Sequence, residues 1–428
     1  MKELRAPRGT QDILPEAIGP WHRMEESARH LFELYGYQEI RTPVYEDTSL
    51  FIRSIGEHTD IVEKEMFTFS SGEEGPSLTL RPEATASVVR AYLEHGLHKS
   101  KKFQKLYYIG AMFRHERPQA GRGRQFHQLG VEAIGSYDPL LDVEHIILAQ
   151  EFLNALGLEG FKIKLNSIGC PRCRPTYRDL IKKELESEKG NLCADCQRRL
   201  ERNVLRLFDC KEEKCKEIYA RLPAFEEYLC EDCAEHFRAV KEALGENRID
   251  YTLDPHLVRG FDYYTKTVYE FVHPALGARD AICGGGRYDG LVEEIGGPST
   301  GATGFAIGMD TTLLALEKSK TKPEKAKAEG PGGVYVVSVT EETKQAAFAL
   351  VLRLRKAGIQ AELDFEERSL KAQMRQANKL GAATVLVLGP DELATHEVNL
   401  KDMATGVEQT VPLSEVIERL RGQEKRVR

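Results

Sequence analysis

Residues 113–132 read FRHERPQAGRGRQFHQLGVE, and the reading of this stretch decides the fold of the larger part of the chain. Four arginines (Arg114, Arg117, Arg122 and Arg124) sit on a Gly/Pro-containing loop. Segments with strand-type apolar alternation, 106–113 and 126–134, enter and leave it. Period-two alternation marks half-buried strands, so the stretch predicts an antiparallel hairpin with a basic tip. Guanidinium forks match phosphate oxygens two at a time. Held on rigid strands beside a basic loop, they imply phosphate chemistry next to a nucleic acid.

The basic character is local. The 428-residue chain carries 60 Lys and Arg against 67 Asp and Glu, a net charge of −7. Between residues 99 and 124, however, Lys99, Lys101, Lys102, Lys105 and the four arginines face a single acid, Glu116. A basic patch on an acidic protein suits a steered, specific contact with a polyanion; a merely solvated surface is the alternative. No apolar run approaches the roughly 20 residues needed to span a bilayer. The opening MKELRAPRGTQDILPE has no apolar core of a signal peptide, and nine cysteines in such a chain fit a reducing compartment. A cytoplasmic protein with no membrane association is expected.

Outward from the hairpin, residues 17–36 predict an amphipathic helix and 37–45 a strand interrupted by Pro43. Short strands are expected at 66–69 and 77–80, helices at 83–94 and 138–156. From 170 to 248 the strand pattern gives way to charged helical segments punctuated by cysteine pairs, a helical insertion in an antiparallel α+β domain spanning 1–325. Strand character returns at 251–253 and 268–272. Residues 317–332, EKSKTKPEKAKAEGPG, have linker composition. Within 333–428, strands at 334–339, 359–365 and 384–389 alternate with helices near 341–357 and 369–380, predicting a small βαβ-type α/β domain.

No Ser/His/Asp or Cys/His arrangement stands out. Arg81-Pro82-Glu83, Arg114, Gln128, Glu132, Arg259 and Arg287 form instead a set suited to positioning anions and neutralising charge; any one of these arginines alone reads as a surface ion pair. The segment 257–265, LVRGFDYYT, joins an arginine to paired tyrosines, and 283–291, CGGGRYDGL, has glycines that permit close backbone approach to a ligand. Neither matches the P-loop or dinucleotide fingerprints.

These segments, in this order, resemble the bacterial histidyl-tRNA synthetases of class II over nearly the whole chain. Arg8-Gly9-Thr10-Gln11-Asp12 resembles their N-terminal signature, and Leu80-Arg81-Pro82-Glu83-Ala84-Thr85 their amino-acid loop. Residues 113–132 resemble the second class II motif; 257–265 and 283–291 resemble the two histidine-specific segments. The resemblance implies ligation of L-histidine to its tRNA through an adenylate made from ATP with Mg2+, by a homodimer whose trace here is Pro43. It assigns Arg114 and Arg259 to catalysis. Glu83, Thr85, Arg114, Gln128, Glu132, Arg259, Tyr263, Tyr264 and Tyr288 would bind histidine, with Glu132, Tyr263 and Tyr264 reading the imidazole. Arg117, Gln119 and Arg124 would meet the tRNA acceptor end, and 333–428 would bind the anticodon.

One departure stands out: Thr311 lies where the family's third motif carries an arginine. It opens an alternative, a synthetase-like regulatory subunit of histidine biosynthesis that binds histidine without charging tRNA. The insertion adds a second question. Cys170-x-x-Cys173 and Cys193-x-x-Cys196, 19 residues apart, have structural-zinc spacing. Cys210, Cys215, Cys230 and Cys233 follow. By itself that pattern would describe a zinc-stabilised nucleic-acid-binding module, and one zinc at Cys170, Cys173, Cys193 and Cys196 is one reading, with no metal site assigned. Reduced cysteines packed as small apolar side chains are the alternative.

Overall fold

A computed structural model describes residues 3–70, 72, 75–277, 281–319, 333–366 and 368–427, with side chains as far as 422. The chain divides into two compact units, Met1–Lys322 and Pro323–Arg428. Residues 320–332 of the expected linker lie outside the described residues; 317 and 318 end the helix Met309–Lys318.

In chain order the first unit has β1 (Gln38–Glu39), β2 (Tyr45–Asp47), β3 (Phe67–Ser70), β4 (Ser77–Leu80), β5 (Gln104–Phe113) and β6 (Gln125–Ile134). After them come β7 (Lys162–Ser167), β8 (Thr252–Leu253), β9 (Thr265–Val272), β10 (Ala281–Arg287) and β11 (Ala302–Gly308). Eight strands form one sheet in the order β1-β5-β6-β11-β10-β9-β7-β8, antiparallel except for the parallel edge pairs β1/β5 and β7/β8. The expected hairpin is the β5–β6 pair, in register from Gln104 opposite Ile134 to Phe113 opposite Gln125.

Side-chain alternation on these strands sets the two faces of the sheet. Tyr107, Leu129, Val131, Tyr269 and Phe305 enter one core with Trp21, Met24, Ala28 and Phe32 of helix Ile18–Leu34 and Phe152 of helix Leu140–Ala155. Leu106, Tyr108, Met112 and Ile134 belong to a second core with Tyr263, Tyr264, Tyr288 and the insertion. In the hairpin register Glu132, Gly130 and Gln128 stand opposite Leu106, Tyr108 and Gly110, so they share this second face. That face carries the site.

The 37–45 strand is broken. Its ends form β1 and β2, which belong to different sheets, and Pro43 lies between them. Proline cannot donate to a ladder; here Arg81 bonds the carbonyl and hydroxyl of Thr42 (3.0 Å each) and the carbonyl of Ala111 (3.0 Å), fixing the irregular stretch.

The second unit holds a five-stranded mixed sheet: β12 (Val334–Ser338), β13 (Ala361–Leu363), β14 (Thr384–Leu388), β15 (Glu397–Asp402) and β16 (Glu408–Pro412), in the order β13-β12-β14-β15-β16. The three expected strands are its parallel part. The sequence reading missed the antiparallel β15–β16 hairpin. Only Val398, Leu400 and Val411 of that hairpin are buried, too few apolar side chains to mark two strands by alternation.

Candidate active site

β5, β6, β9, β10 and β11 together with the 258–264 strap enclose a cavity of about 280 Å³. Arg114, Gln128 and Glu132 line it from the hairpin, Glu83 and Thr85 from the helix Thr85–Glu94 and the turn before it. Arg259, Tyr263, Tyr264, Tyr288 and Thr311 line it from the C-terminal part of the sequence. Every residue expected to bind histidine is therefore brought to one place.

Glu132 is its buried centre. Thr85 Oγ1 donates to Glu132 Oε1 at 2.7 Å, and the Tyr288 hydroxyl donates to Oε2. Burial outweighs these bonds and, with the charge of Glu83, pushes the Glu132 carboxyl up to about 8. Near neutral pH this carboxyl therefore holds a proton. Tyr288, expected among the histidine-binding residues but not as an imidazole reader, is the phenol that holds Glu132. Tyr263 and Tyr264 form an aromatic wall beside it, ring centroids 4.7 Å apart, with Tyr288 5.7 Å from Tyr263. Burial raises both phenols, Tyr264 to about 12, so they remain neutral.

Glu83 receives the backbone N–H groups of Thr85 (2.6 Å) and Ala86 (2.9 Å), so it caps the helix as well as lining the cavity. Burial raises its carboxyl although both amides oppose this.

The two arginines are held from different directions. Arg114, at the end of β5, donates through Nε to the Pro82 carbonyl at 2.9 Å and lies over the rings of Phe126 and Phe261, 5.2 and 5.5 Å from their centroids. Arg259 is half-buried and paired with Glu270 of β9. Burial opposes its charge, but the Glu270 carboxylate holds its pKa above the usual arginine value, so it stays a cation. Arg259 Nε and Gln128 Oε1 are buried without a protein hydrogen-bond partner among the described residues, a cost normally avoided unless a ligand supplies the partner.

Glycines clear the floor. A Cβ at Gly284 of β10 would run into the Arg259 guanidinium, and one at Gly304 of β11 into the Glu132 carboxylate. The glycine-rich 283–291 segment thus makes room for Arg259.

Several expectations are corrected. Arg287 is absent from the cavity lining and fully buried, paired with Asp142 and Asp289 at 3.0 Å and bonded to the carbonyls of Ser136 and Asp138. Burial alone would raise the Asp142 carboxyl; Arg287 and His236 hold it well below its usual value. Arg81 likewise serves the backbone. On the basic loop, Arg117 and Gln119 are exposed, but Arg124 is half-buried, its backbone N–H on the Gly9 carbonyl (2.6 Å) and its Nε on the Glu116 carbonyl (3.4 Å). Thr311 borders the cavity beside Gly121 of the loop.

The cysteines also group differently. Cys170 and Cys173 gather with Cys230 and Cys233; Cys193 and Cys196 gather with Cys210 and Cys215. Spacing along the chain identified the pairs but not which pairs meet: the insertion doubles back, so helix Glu231–Glu246 begins beside the end of β7. Sequence reasoning missed Tyr108 and Glu270 as well. Tyr108 lies opposite Gly130 on the site face, and Glu270 stands beside Gly284; both followed from the register, which the sequence did not supply.

An antiparallel sheet of this order, with two arginines, a buried carboxyl and phenols around one cavity, defines the core of a class II aminoacyl-tRNA ligase. Residues 9–312 match the histidyl-tRNA synthetase family, and residues 333–423 match the anticodon binding domain. The chain belongs to the histidyl-tRNA synthetase family. The histidine–tRNA ligase of Halothermothrix orenii is 49% identical over 418 residues, 98% of this chain and 99% of that protein. That of Desulforudis audaxviator is 50% identical over 415 residues, 97% of this chain and 98% of that protein. The apo histidyl-tRNA synthetase structure from S. aureus aligns with a TM-score of 0.81 at 36% identity, covering 97% of this chain and 99% of that one. These relatives do not favour the regulatory-subunit reading.

Proposed function

We propose that this enzyme joins L-histidine to its tRNA in two steps, with the residues around the cavity in the following roles. In the first, the histidine carboxylate attacks the α-phosphate of ATP in line and pyrophosphate leaves; the nucleophile arrives with the substrate, so no protein base is required. Arg114 and Arg259 neutralise charge on the phosphate and carboxylate. Removing one such preorganised donor costs about a hundred- to a thousandfold in rate. Mg2+ would come with the ATP phosphates and share their neutralisation.

Glu132 reads the imidazole. A neutral imidazole offers one donor and one acceptor, and a protonated carboxyl can answer the acceptor while Tyr263 and Tyr264 close the pocket around the ring. Glu83, Thr85 and Gln128 hold the α-amino end. Amino acids that leave these buried groups unpaired are rejected by large factors. In the second step the terminal ribose hydroxyl of the tRNA attacks the carbonyl of the adenylate, the acyl–phosphate bond breaks and AMP leaves, with Arg117 and Gln119 at the exposed loop and Arg124 steadying its base. The second unit takes the anticodon. Threonine at 311 leaves phosphate neutralisation to Arg114, Arg259 and the metal.

The active form is a cytoplasmic homodimer; exposed Val44, Tyr45 and Phe69 beside Pro43 support an interface there. The single observation that carries the histidine reading is the raised, buried Glu132 bonded by Thr85 and Tyr288. Its test is Arg259→Ala together with Glu132→Ala in histidine-dependent ATP–pyrophosphate exchange: the first should lose exchange and the second should raise KM for histidine. Near-normal values in both variants would overturn the roles.

A further inference from the structure

Eight of the nine cysteines lie in the insertion and away from the cavity lining. We infer that they hold two structural zinc ions, one bound by Cys170, Cys173, Cys230 and Cys233 and the other by Cys193, Cys196, Cys210 and Cys215. Within each group the four Sγ atoms all lie within 4.8 Å of one another. Thiolates about 2.3 Å from a tetrahedral zinc stand about 3.8 Å from each other. The sulfurs of Cys170 and Cys173 are 3.6 Å apart, those of Cys170 and Cys230 3.9 Å, and those of Cys193 and Cys210 3.8 Å. A disulfide needs about 2 Å, and all nine cysteines are free thiols. Packing as small apolar side chains would not bring four sulfurs to a tetrahedral edge length, twice.

Backbone groups hold the sulfurs in place. The backbone N–H of Cys230 donates to Cys173 Sγ at 3.1 Å, and that of Cys193 to Cys215 Sγ at 3.4 Å. Cys173, Cys193 and Cys230 each occupy the N-cap position of a helix, Arg174–Glu184, Ala194–Arg202 and Glu231–Glu246, so rigid elements present these sulfurs to their groups. Four protein ligands leave no open position, which makes both sites structural.

The two sites are nested. The first joins the two roots of the insertion, where it leaves β7 and where its last helix begins; the second closes the middle. Arg174, directly after Cys173, donates to the Tyr264 carbonyl, and the Lys266 N–H donates to the Gly169 carbonyl at 2.8 Å. Arg206, between Cys196 and Cys210, pairs with Asp262 at 3.0 Å. The first zinc therefore fixes the strap that carries Tyr263 and Tyr264. That consequence rests on the histidine reading, whereas the metal content does not.

Elemental analysis of the purified full-length protein should find two zinc ions per chain. Cobalt exchanged into both sites should give the intense thiolate charge-transfer bands of tetrahedral sulfur coordination. Cys233→Ser and Cys215→Ser should each lose one ion and keep the other; if either variant does not fold, the wild-type stoichiometry and cobalt spectrum decide. One ion or none per chain overturns the two-site inference, as does native protein whose eight insertion thiols all react freely with a disulfide reagent. Full zinc content with no histidine activation would uphold the metal sites and reject the functional reading.

Discussion

Glu132 gives the site a pH dependence that a single substitution should remove. Burial raises its carboxyl to about 8, and in the proposed role histidine is read by one proton shared between this carboxyl and the imidazole. Above about 8 the free enzyme loses that proton, and binding must first recover it. From about pH 7 to about pH 9 the fraction of competent enzyme falls about tenfold, equivalent to about 1.4 kcal/mol. Below about 6.5 the free imidazole takes a second proton and binding weakens again. The assay is the histidine dissociation constant by calorimetry across this range for wild type and Glu132→Gln. The amide keeps an acceptor oxygen for one of Thr85 and Tyr288 and cannot titrate, so the alkaline limb should vanish relative to wild type. Subtracting the two profiles cancels the titration of the ligand's own amine. Identical alkaline limbs, or a flat wild-type profile, would refute the assignment. Stability carries the same signature: the folded-state pKa lies above the ordinary 4.5, so the native protein binds the extra proton. Its unfolding free energy should fall as pH rises from about 4.5 through about 8, and the glutamine variant should lack that slope.

Arg287→Met should act on the fold, because it strands Asp142 without its buried cation; breaking such a pair costs about 3–5 kcal/mol, read from denaturant midpoints, and a change within 1 kcal/mol would show the pair to be dispensable. Arg117→Ala should raise KM for tRNA severalfold in charging and leave ATP–pyrophosphate exchange unchanged; a fall in exchange would place Arg117 in the first step. Thr311→Arg should lower KM for ATP by adding a cation at the cavity wall, and an unchanged KM would show that position 311 does not face the nucleotide.

Much of the site was legible because it is written in long, ordered segments. The hairpin at 113–132 announced itself through alternation on both arms and a turn-rich basic tip, and its pairing followed. Tyr288 and Arg287 show where reading stopped. They are neighbours in CGGGRYDGL, yet one turns to Glu132 and the other to Asp142 on the opposite side of the sheet. In a strand adjacent residues face opposite ways, but which face is the site depends on register across five strands. The cysteines failed for a related reason: spacing reveals a pair, and only the return path of the helices decides its partner. β15 and β16 were missed because three buried residues on a half-exposed edge leave little periodic signal.

The central claim is that the cavity activates histidine and passes it to tRNA. Radiolabelled pyrophosphate exchange into ATP, measured with and without L-histidine on the same preparation that is tested for charging of tRNA(His), addresses it directly. The account predicts exchange that depends strictly on histidine, is lost in Arg259→Ala, and is accompanied by charging. Histidine binding without exchange or charging would contradict it.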